Sequence, residues 1–421
     1  MTRTDLRLGA RFDGDAQGTP IVAALGVAIL LGSYAINAMD RTLFPLLLLE
    51  VRREYGFALP EAGLMSTVFT LGMALAGLPT GYLMSRYARR SVTQIGMFIF
   101  SAATIVTIAA TGFADMLAYR ALTGIGEAMQ LTALLAIMSS YFARYRAVGI
   151  GALNGTYGVG AILGPLLGAG MLTRYGTWRA PMIGFGIIGF TLMALVAVFV
   201  RPALSEVSIA GQPAGAAASG GAPTLHNRNT YLLVLMSIIA GLAIFGFLGM
   251  YPTYLREQLH FTPADTGKVM SIYGLGVLVS VGGGLLGDRF SPRAVLSLSF
   301  LVAAAVGWLL FNGPVGFSAQ AACAFAFGVV FSGTIYVNLA ACHVKSVNGD
   351  LAGRASGVFV TSFYAAASIA GYAIGSLATT LGWTLAGDLQ LGAICVAGAG
   401  LALALAPGRM AAQTRAKPVP G

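Results

Sequence analysis

The chain has 421 residues, of which 57% are hydrophobic and only 10% charged, with a formal net charge of +10 and a mean hydropathy of +0.79. A soluble domain carries about 25% charged residues, so the two or three water-soluble domains that this length would allow are excluded. The positive charge sits in short clusters between apolar runs, the pattern that orients a membrane protein, and no basic face or motif of the nucleic-acid-binding kind accompanies it.

Residues 1–19, with Arg3, Arg7 and Arg11 among acids and glycines, lack the apolar core of a signal peptide and read as a cytoplasmic tail. A bilayer span needs about 20 mostly apolar residues. On that template spans fall at 20–48, 61–85, 91–112, 115–142, 147–173 and 178–200, then at 230–254, 264–287, 293–312, 316–343, 354–381 and 384–406. Runs this long without strand-type alternation are expected to be helices, which satisfy their own backbone groups in lipid. The stretch 201–229 holds Gly211-Gln-Pro-Ala-Gly-Ala-Ala-Ala-Ser-Gly-Gly-Ala-Pro223, too small-residue-rich to bury much, and reads as a flexible linker. The expected fold is therefore an all-α membrane protein, its twelve transmembrane helices forming two six-helix pseudo-symmetric bundles. The N-terminal bundle occupies 20–200, the C-terminal bundle 230–406, and 407–421 is a second cytoplasmic tail.

Most of the 25 Lys and Arg residues lie in segments on the same side as the N-terminus, which places both termini in the cytoplasm. The halves also repeat. Phe44-Pro45 ends the first span as Tyr251-Pro252 ends the seventh, and Arg146-Ala-Val-Gly149 opens the fifth as Arg354-Ala-Ser-Gly357 opens the eleventh. Tyr175-Gly-Thr-Trp178 and Leu381-Gly-Trp383 close equivalent units, and the segment Gly81 to Arg90 corresponds to Gly284 to Arg293. Matches in the same order indicate duplication.

These features resemble the major facilitator superfamily, a family of two-repeat transporters. Gly81-Tyr-Leu-Met-Ser85-Arg86-Tyr-Ala88-Arg89-Arg90 is similar to that family's loop signature, with Ser85 and Ala88 in place of its Asp and Gly. The second copy, Gly284-Leu-Leu-Gly-Asp288-Arg289-Phe-Ser-Pro-Arg293, keeps the Asp-Arg pair. The resemblance implies that Arg86, Arg90, Asp288, Arg289 and Arg293 serve a cytoplasmic gate. Gly160-Ala-Ile-Leu-Gly164-Pro165-Leu-Leu-Gly168 resembles an element often seen in antiporters, and also suits small-residue helix packing.

A charge at bilayer depth costs about 2.5–3.5 kcal/mol on insertion scales, so it is a functional candidate by default. Tyr34, Asn37, Arg41 and Phe44 lie on one helical stripe, with Asp40 about 100° from Arg41. Neighbours in sequence do not face each other on a helix, so Asp40 and Arg41 are each expected to have another partner. In the fourth span Arg120, Thr123, Glu127 and Gln130 follow one face, and two turns separate Arg120 from Glu127, too far for a direct pair.

Asp40-Arg41 together with Arg120 and Gly124-Ile-Gly-Glu127-Ala128 resembles the anion–cation symporter branch, although Met-Gln-Leu-Thr follows Ala128 instead of that branch's proline-rich run. The resemblance implies that Asp40 and Glu127 take up protons and that Arg41 holds a substrate carboxylate, with Arg120 tuning the acids. The chemistry agrees. A guanidinium presents a planar fork to a carboxylate, and the interaction is strong in a low-dielectric cavity. Desolvation favours a protonated carboxyl and a nearby arginine opposes it, so the arginine's choice of partner can couple the two bindings. Tyr34, Asn37 and Gln130 complete the expected N-terminal side of the site. The C-terminal spans lack such charges; their polar and aromatic candidates are Tyr251, Tyr273, Tyr336, Asn338, Ser362 and Tyr364.

His226, His260 and His343 are scattered, and Cys323, Cys342 and Cys395 show no paired spacing, so neither metal nor other cofactor is expected. No hydrolase, protease or nucleotide-binding motif is present, which argues against an enzyme. The sequon at Asn154 falls inside the fifth span and is expected to be inert. The expected function is proton-coupled uptake of a small organic anion by alternating access, by a monomer in a bacterial inner membrane. The alternative is proton-coupled efflux of lipophilic or drug-like compounds.

Overall fold

The computed structural model describes residues 20–142, 146–206 and 221–410. The first tail, the middle of the linker and most of the second tail lie outside the described residues.

Among the described residues, twelve helices are long and apolar enough to cross a membrane. They are α1 (Ile21–Tyr55), α2 (Leu59–Gly77), α3 (Arg89–Ala109), α4 (Phe113–Tyr141), α5 (Gly151–Tyr175) and α6 (Arg179–Phe199) in the first half. The second half holds α7 (Arg228–Glu257), α8 (Pro263–Arg289), α9 (Pro292–Asn312), α10 (Phe317–Lys345), α11 (Ala352–Leu381) and α12 (Trp383–Leu403). Among the described residues the sole β-type pairing is an isolated bridge between Ala222 and Val347. The all-helical architecture is what lipid demands of uninterrupted apolar runs.

The ends differ from expectation where charged residues extend a helix. Span 1 continues through Arg52 and Arg53 to Tyr55, and span 7 through Arg256 to Glu257; Arg52 and Arg256 find acidic partners there, and Arg53 is exposed. The linker is partly structured, with one short helical turn at Pro202–Ser205 and main-chain bonds from Ala222 to Ser346 and from Asn348 to Ala222. Asn227, Thr262 and Ser291 cap α7, α8 and α9 by accepting from backbone N–H groups of the first turn.

The duplication is visible in the backbone. Gly56 (φ +72°) follows α1 as His260 (φ 56°) follows α7, and Gly176 (φ +65°) follows α5 as Gly382 (φ +85°) follows α11. Left-handed residues just past a helix satisfy its last carbonyls. Packing repeats as well. Helix α1 lies on α5, α2 on α4, and α3 on α6, just as α7 lies on α11, α8 on α10, and α9 on α12.

Across the halves, α5 packs on α8 and α2 on α11, a related pair of contacts. At the end bearing Gly56 and His260 these contacts are tight. Gly63 and Gly371 bring α2 and α11 so close that a Cβ on either would strike the other's carbonyl, and Gly267 of α8 lies against Pro165 and Ala169 of α5. Thr67 Oγ1 donates to the Ser368 carbonyl at 2.9 Å across the same seam. Towards the other end, Gly77 at the end of α2 and Gly81 in its helical continuation to Arg86, Gly151 and Gly155 in α5, and Gly353 and Gly357 in α11 have nothing within 4 Å of where a side chain would begin. The two halves are closed at the Gly56 end and splayed at the end bearing the arginine-rich loops.

Candidate transport site

Inside the splay, α1, α4, α5, α7, α8, α10 and α11 enclose a cavity of about 180 Å³. Its one charged lining residue is Arg41, and Tyr34, two turns earlier on α1, lines it too. The guanidinium is 7% exposed, enough to meet a ligand while its base is anchored in protein.

Beneath the cavity, Arg41 Nε donates to Glu127 Oε2 at 2.9 Å and Nη2 to Asn37 Oδ1 at 2.9 Å. Asn37 Nδ2 donates to Gln130 Oε1 at 2.8 Å, and Gln130 Nε2 to Ser33 Oγ at 3.0 Å. The chain Glu127–Arg41–Asn37–Gln130–Ser33 therefore joins α1 to α4 and holds the guanidinium plane. Two of its five N–H donors are spent; the others make no hydrogen bond among the described residues. Glu127 is fully buried, and its Oε1 has no hydrogen-bond partner there either.

Asp40 and Arg120 form a second pair beside the first. Arg120 Nη1 meets Asp40 Oδ2 at 3.3 Å, and Thr104 Oγ1 of α3 donates to Asp40 Oδ1 at 3.0 Å. Arg120 is fully buried over the Phe44 ring, 4.7 Å from its centroid, with Phe69 on another side at 5.9 Å. As the helical spacing required, Asp40 and Arg41 turn to different partners.

Not all of the expected site residues line the cavity. Arg120 does not line the cavity but lies in the packed interior of the first half. Asn37 and Gln130 support Arg41 from behind. Tyr251 is buried against α10, donating to Gln320 Oε1 and stacked on Phe247. Asn338 ties α10 to α8 by donating to the Gly283 carbonyl at 2.9 Å. Tyr336 and Tyr364 do line the cavity. Sequence reasoning passed over Tyr157 and Asn154 on α5 and Phe245 on α7, all of which line it. The Tyr157 ring sits 5.8 Å from the Arg41 guanidinium, and the Asn154–Tyr157 spacing on the helix could have flagged both.

At the splayed end the expected gate residues hold contacts within their own halves. Arg86 stacks on Tyr82 at 4.5 Å, Arg90 donates to the Ala197 carbonyl, and Arg293 Nε donates to the Leu405 carbonyl at 3.1 Å. Asp288 lies 3.7 Å from Lys345, and Arg289 is exposed. Ser85 stands where the loop signature has its acid, but Glu206 supplies a carboxylate nearby. Both its oxygens accept from the first backbone N–H groups of α3, at Arg89 and Arg90, at 3.0 Å each. Carboxylates favour helix N-termini for this reason. In the antiporter-like element, Gly160, Gly164 and Gly168 accept the approach of α1, while Ala161, Pro165 and Ala169 face α8; its role here is packing.

The closed end carries a crossed clasp. Glu50 of α1 pairs with Arg256 of α7 at 2.5 Å, and Arg52 of α1 pairs with Glu257 of α7. Opening this end must break both pairs. In a cysteine-free background with Ser368→Cys as reporter in the closed seam, Arg52→Gln with Arg256→Gln will raise labelling by a polar thiol reagent several-fold. The charge-swapped Glu50→Arg, Arg256→Glu protein will return it towards the parent rate, and an unchanged rate in the double-Gln protein would refute the clasp.

The pattern of the Major Facilitator Superfamily matches residues 30–372. The chain is 25% identical over 267 residues to the multidrug resistance protein MdtL of Klebsiella pneumoniae (strain 342), covering 62% of this chain and 66% of that one. It is 27% identical over 172 residues to the probable L-galactonate transporter of Escherichia coli (strain K12), covering 41% and 38%. To the hexuronate transporter of Bacillus subtilis (strain 168) it is 26% identical over 324 residues, covering 72% and 76%. The match thus spans about two thirds of the first of these relatives and well under half of the second. A crystal structure of a bacterial homolog of the human lysosomal transporter Spinster, in its inward-facing and unoccupied conformation, superposes with a TM-score of 0.71 at 15% identity, covering 92% of this chain and 96% of that one. The twelve helices, the duplicated packing and the cavity between the halves thus meet a family pattern running over most of the sequence, and the chain belongs to the Major Facilitator Superfamily.

Proposed function

We propose that this protein takes up a small organic anion together with protons, by alternating access, with Arg41 as the carboxylate-binding residue. The observation that carries this is a single buried cation on the cavity wall whose anchoring partner is itself an acid, Glu127. When Glu127 is ionised it competes with a substrate carboxylate for the guanidinium. When Glu127 takes a proton, the fork is released and bidentate binding of the substrate is favoured. Glu127 is a stronger candidate for the coupling acid than Asp40, which is held by Arg120 and Thr104 away from the cavity. The splayed end, with its arginine-rich loops, is the cytoplasmic one by the positive-inside rule, so the conformation is inward-facing. The protein works as a monomer in a bacterial inner membrane, with both termini cytoplasmic. Relatives that carry galactonate, muconate and hexuronate favour an anion as cargo.

Relatives named for multidrug and puromycin resistance favour the second reading, proton-driven export of lipophilic compounds. Proteoliposomes distinguish the two. Under anion symport, adding a carboxylic acid substrate outside alkalinises the medium, and Arg41→Ala abolishes the response. Movement of lipophilic cations that survives Arg41→Ala, with no response to any carboxylate, would replace the first reading by the second.

A further inference from the structure

The two halves of the cavity are related by the duplication, and they do not carry the same chemistry. Pro45 and Pro252 occupy matched places inside α1 and α7. Counting back from them, Arg41 falls on Leu248 and Asn37 on Ile244, and both of these line the cavity. The position that presents a guanidinium in one half presents a leucine in the other. A substrate with two separated carboxylates would meet a cation on one wall and only an aliphatic side chain at the matched place on the other. An unpaired carboxylate against an apolar wall is strongly disfavoured.

What faces Arg41 instead is a group of rings. Phe245 lies edge-on to Phe363 at 6.0 Å and to Tyr364 at 6.1 Å, and Tyr336 lies edge-on to Phe363 at 5.1 Å. All four line the cavity. A hydroxyl-rich sugar acid needs a partner for each hydroxyl it buries. The cavity offers Asn154, two serines, of which Ser332 already bonds Tyr273 at 2.7 Å, and the phenol hydroxyls of Tyr34, Tyr157, Tyr336 and Tyr364. The rest of its uncharged wall is aliphatic side chains and ring faces. Offset and edge-to-face contacts make ring walls favourable for a flat unsaturated body. The size agrees, since a cavity of about 150 Å³ lined by apolar side chains takes up benzene, and this one is about 180 Å³.

We propose that the cargo is a monocarboxylate with a flat aromatic or unsaturated body, about one ring in size, its carboxylate on Arg41 and its ring among Phe245, Tyr336, Phe363 and Tyr364. The proposal rests on the carboxylate reading of Arg41 and narrows it.

The test is counterflow of labelled benzoate in proteoliposomes of the full chain, with unlabelled benzoate, cyclohexanecarboxylate, gluconate and succinate as competitors. Benzoate will compete at least tenfold better than gluconate or succinate, and several-fold better than the saturated ring. Phe245→Leu, which keeps an apolar side chain, will collapse the preference of benzoate over cyclohexanecarboxylate. Tyr336→Phe, which keeps the ring, will leave the preference in place. If gluconate or succinate competes as well as benzoate and Arg41→Ala abolishes their exchange, this inference is overturned and the carboxylate reading stands. If no carboxylate exchanges in the parent protein while a neutral or cationic lipophile does, both are overturned. A preference untouched by Phe245→Leu also overturns the inference.

Discussion

Replacing Glu127 with Gln will leave exchange intact and abolish accumulation. The amide oxygen of Gln can still accept from Arg41 Nε, now 2.9 Å from Glu127 Oε2, so the guanidinium keeps its orientation and the fold keeps its α1–α4 link. What is lost is the proton that switches Arg41 between partners. Counterflow of a substrate acid in proteoliposomes will therefore stay within about threefold of the parent, while uptake driven by an imposed pH gradient will fall at least tenfold, a loss equivalent to about 1.4 kcal/mol of coupling. The pH dependence of uptake will flatten with it. Asp40→Asn will retain a pH response, because Asp40 bonds Arg120 and Thr104 and not the cavity-lining Arg41. Gradient-driven accumulation by the Gln variant, or its loss in Asp40→Asn alone, would reassign the coupling acid.

Arg120→Leu will damage stability more than affinity. It leaves Asp40, 1% exposed, without its cation, and breaking a buried pair by removing one partner costs about 3–5 kcal/mol. The second half contains the control for this idea. Counting from Pro45 and Pro252, Asp40 falls on Phe247, while the matched close contacts of Gly124 and Gly328 put Arg120 on Ala324; Phe247 stacks at 4.2 Å on Phe327, one turn further along α10. One half joins its first and fourth helices with an ion pair, the other with an aromatic pair. An apolar contact at this place is therefore compatible with the architecture. Asp40→Leu with Arg120→Leu will recover most of the thermal stability that Arg120→Leu loses, since replacing both partners of a buried pair with apolar groups is often neutral. Substrate affinity will change less than threefold in the double variant. A large loss of affinity without loss of stability would instead put Arg120 in contact with the cargo.

The sequence made α1 the most legible part of the site. Tyr34, Asn37 and Arg41 recur at helical spacing, and all three take part in it, two on the cavity wall and one behind. That Asp40 and Arg41 must part company was readable too, because adjacent residues on a helix point about 100° apart. Which acid goes with which arginine was not readable, as the pairings cross from α1 to α4 over some 80–90 residues of chain. Phe245, Phe363 and Tyr157 were passed over for a related reason. In a span that is apolar on every side, hydropathy does not separate a ring facing lipid from one facing a cavity, and both satisfy the bilayer equally. Glu206 was missed because its partners are backbone N–H groups, which leave no trace in residue type.

The sequence by itself determined the solvent, the number of spans, the duplication and the confinement of buried charge to the first half. These follow from the local cost of placing apolar or ionised groups in lipid, which each segment meets independently of the others. The tertiary structure alone decided how the four buried charges pair between α1 and α4, that only Arg41 among them reaches the cavity, and that the opposite wall is built of rings. It also decided which end is shut. The shut end depends on Gly63 meeting Gly371 and on Glu50 meeting Arg256 across the halves. Such contacts exist in one conformation of an alternating protein and must vanish in the other, and two states separated by a few kcal/mol share the same sequence.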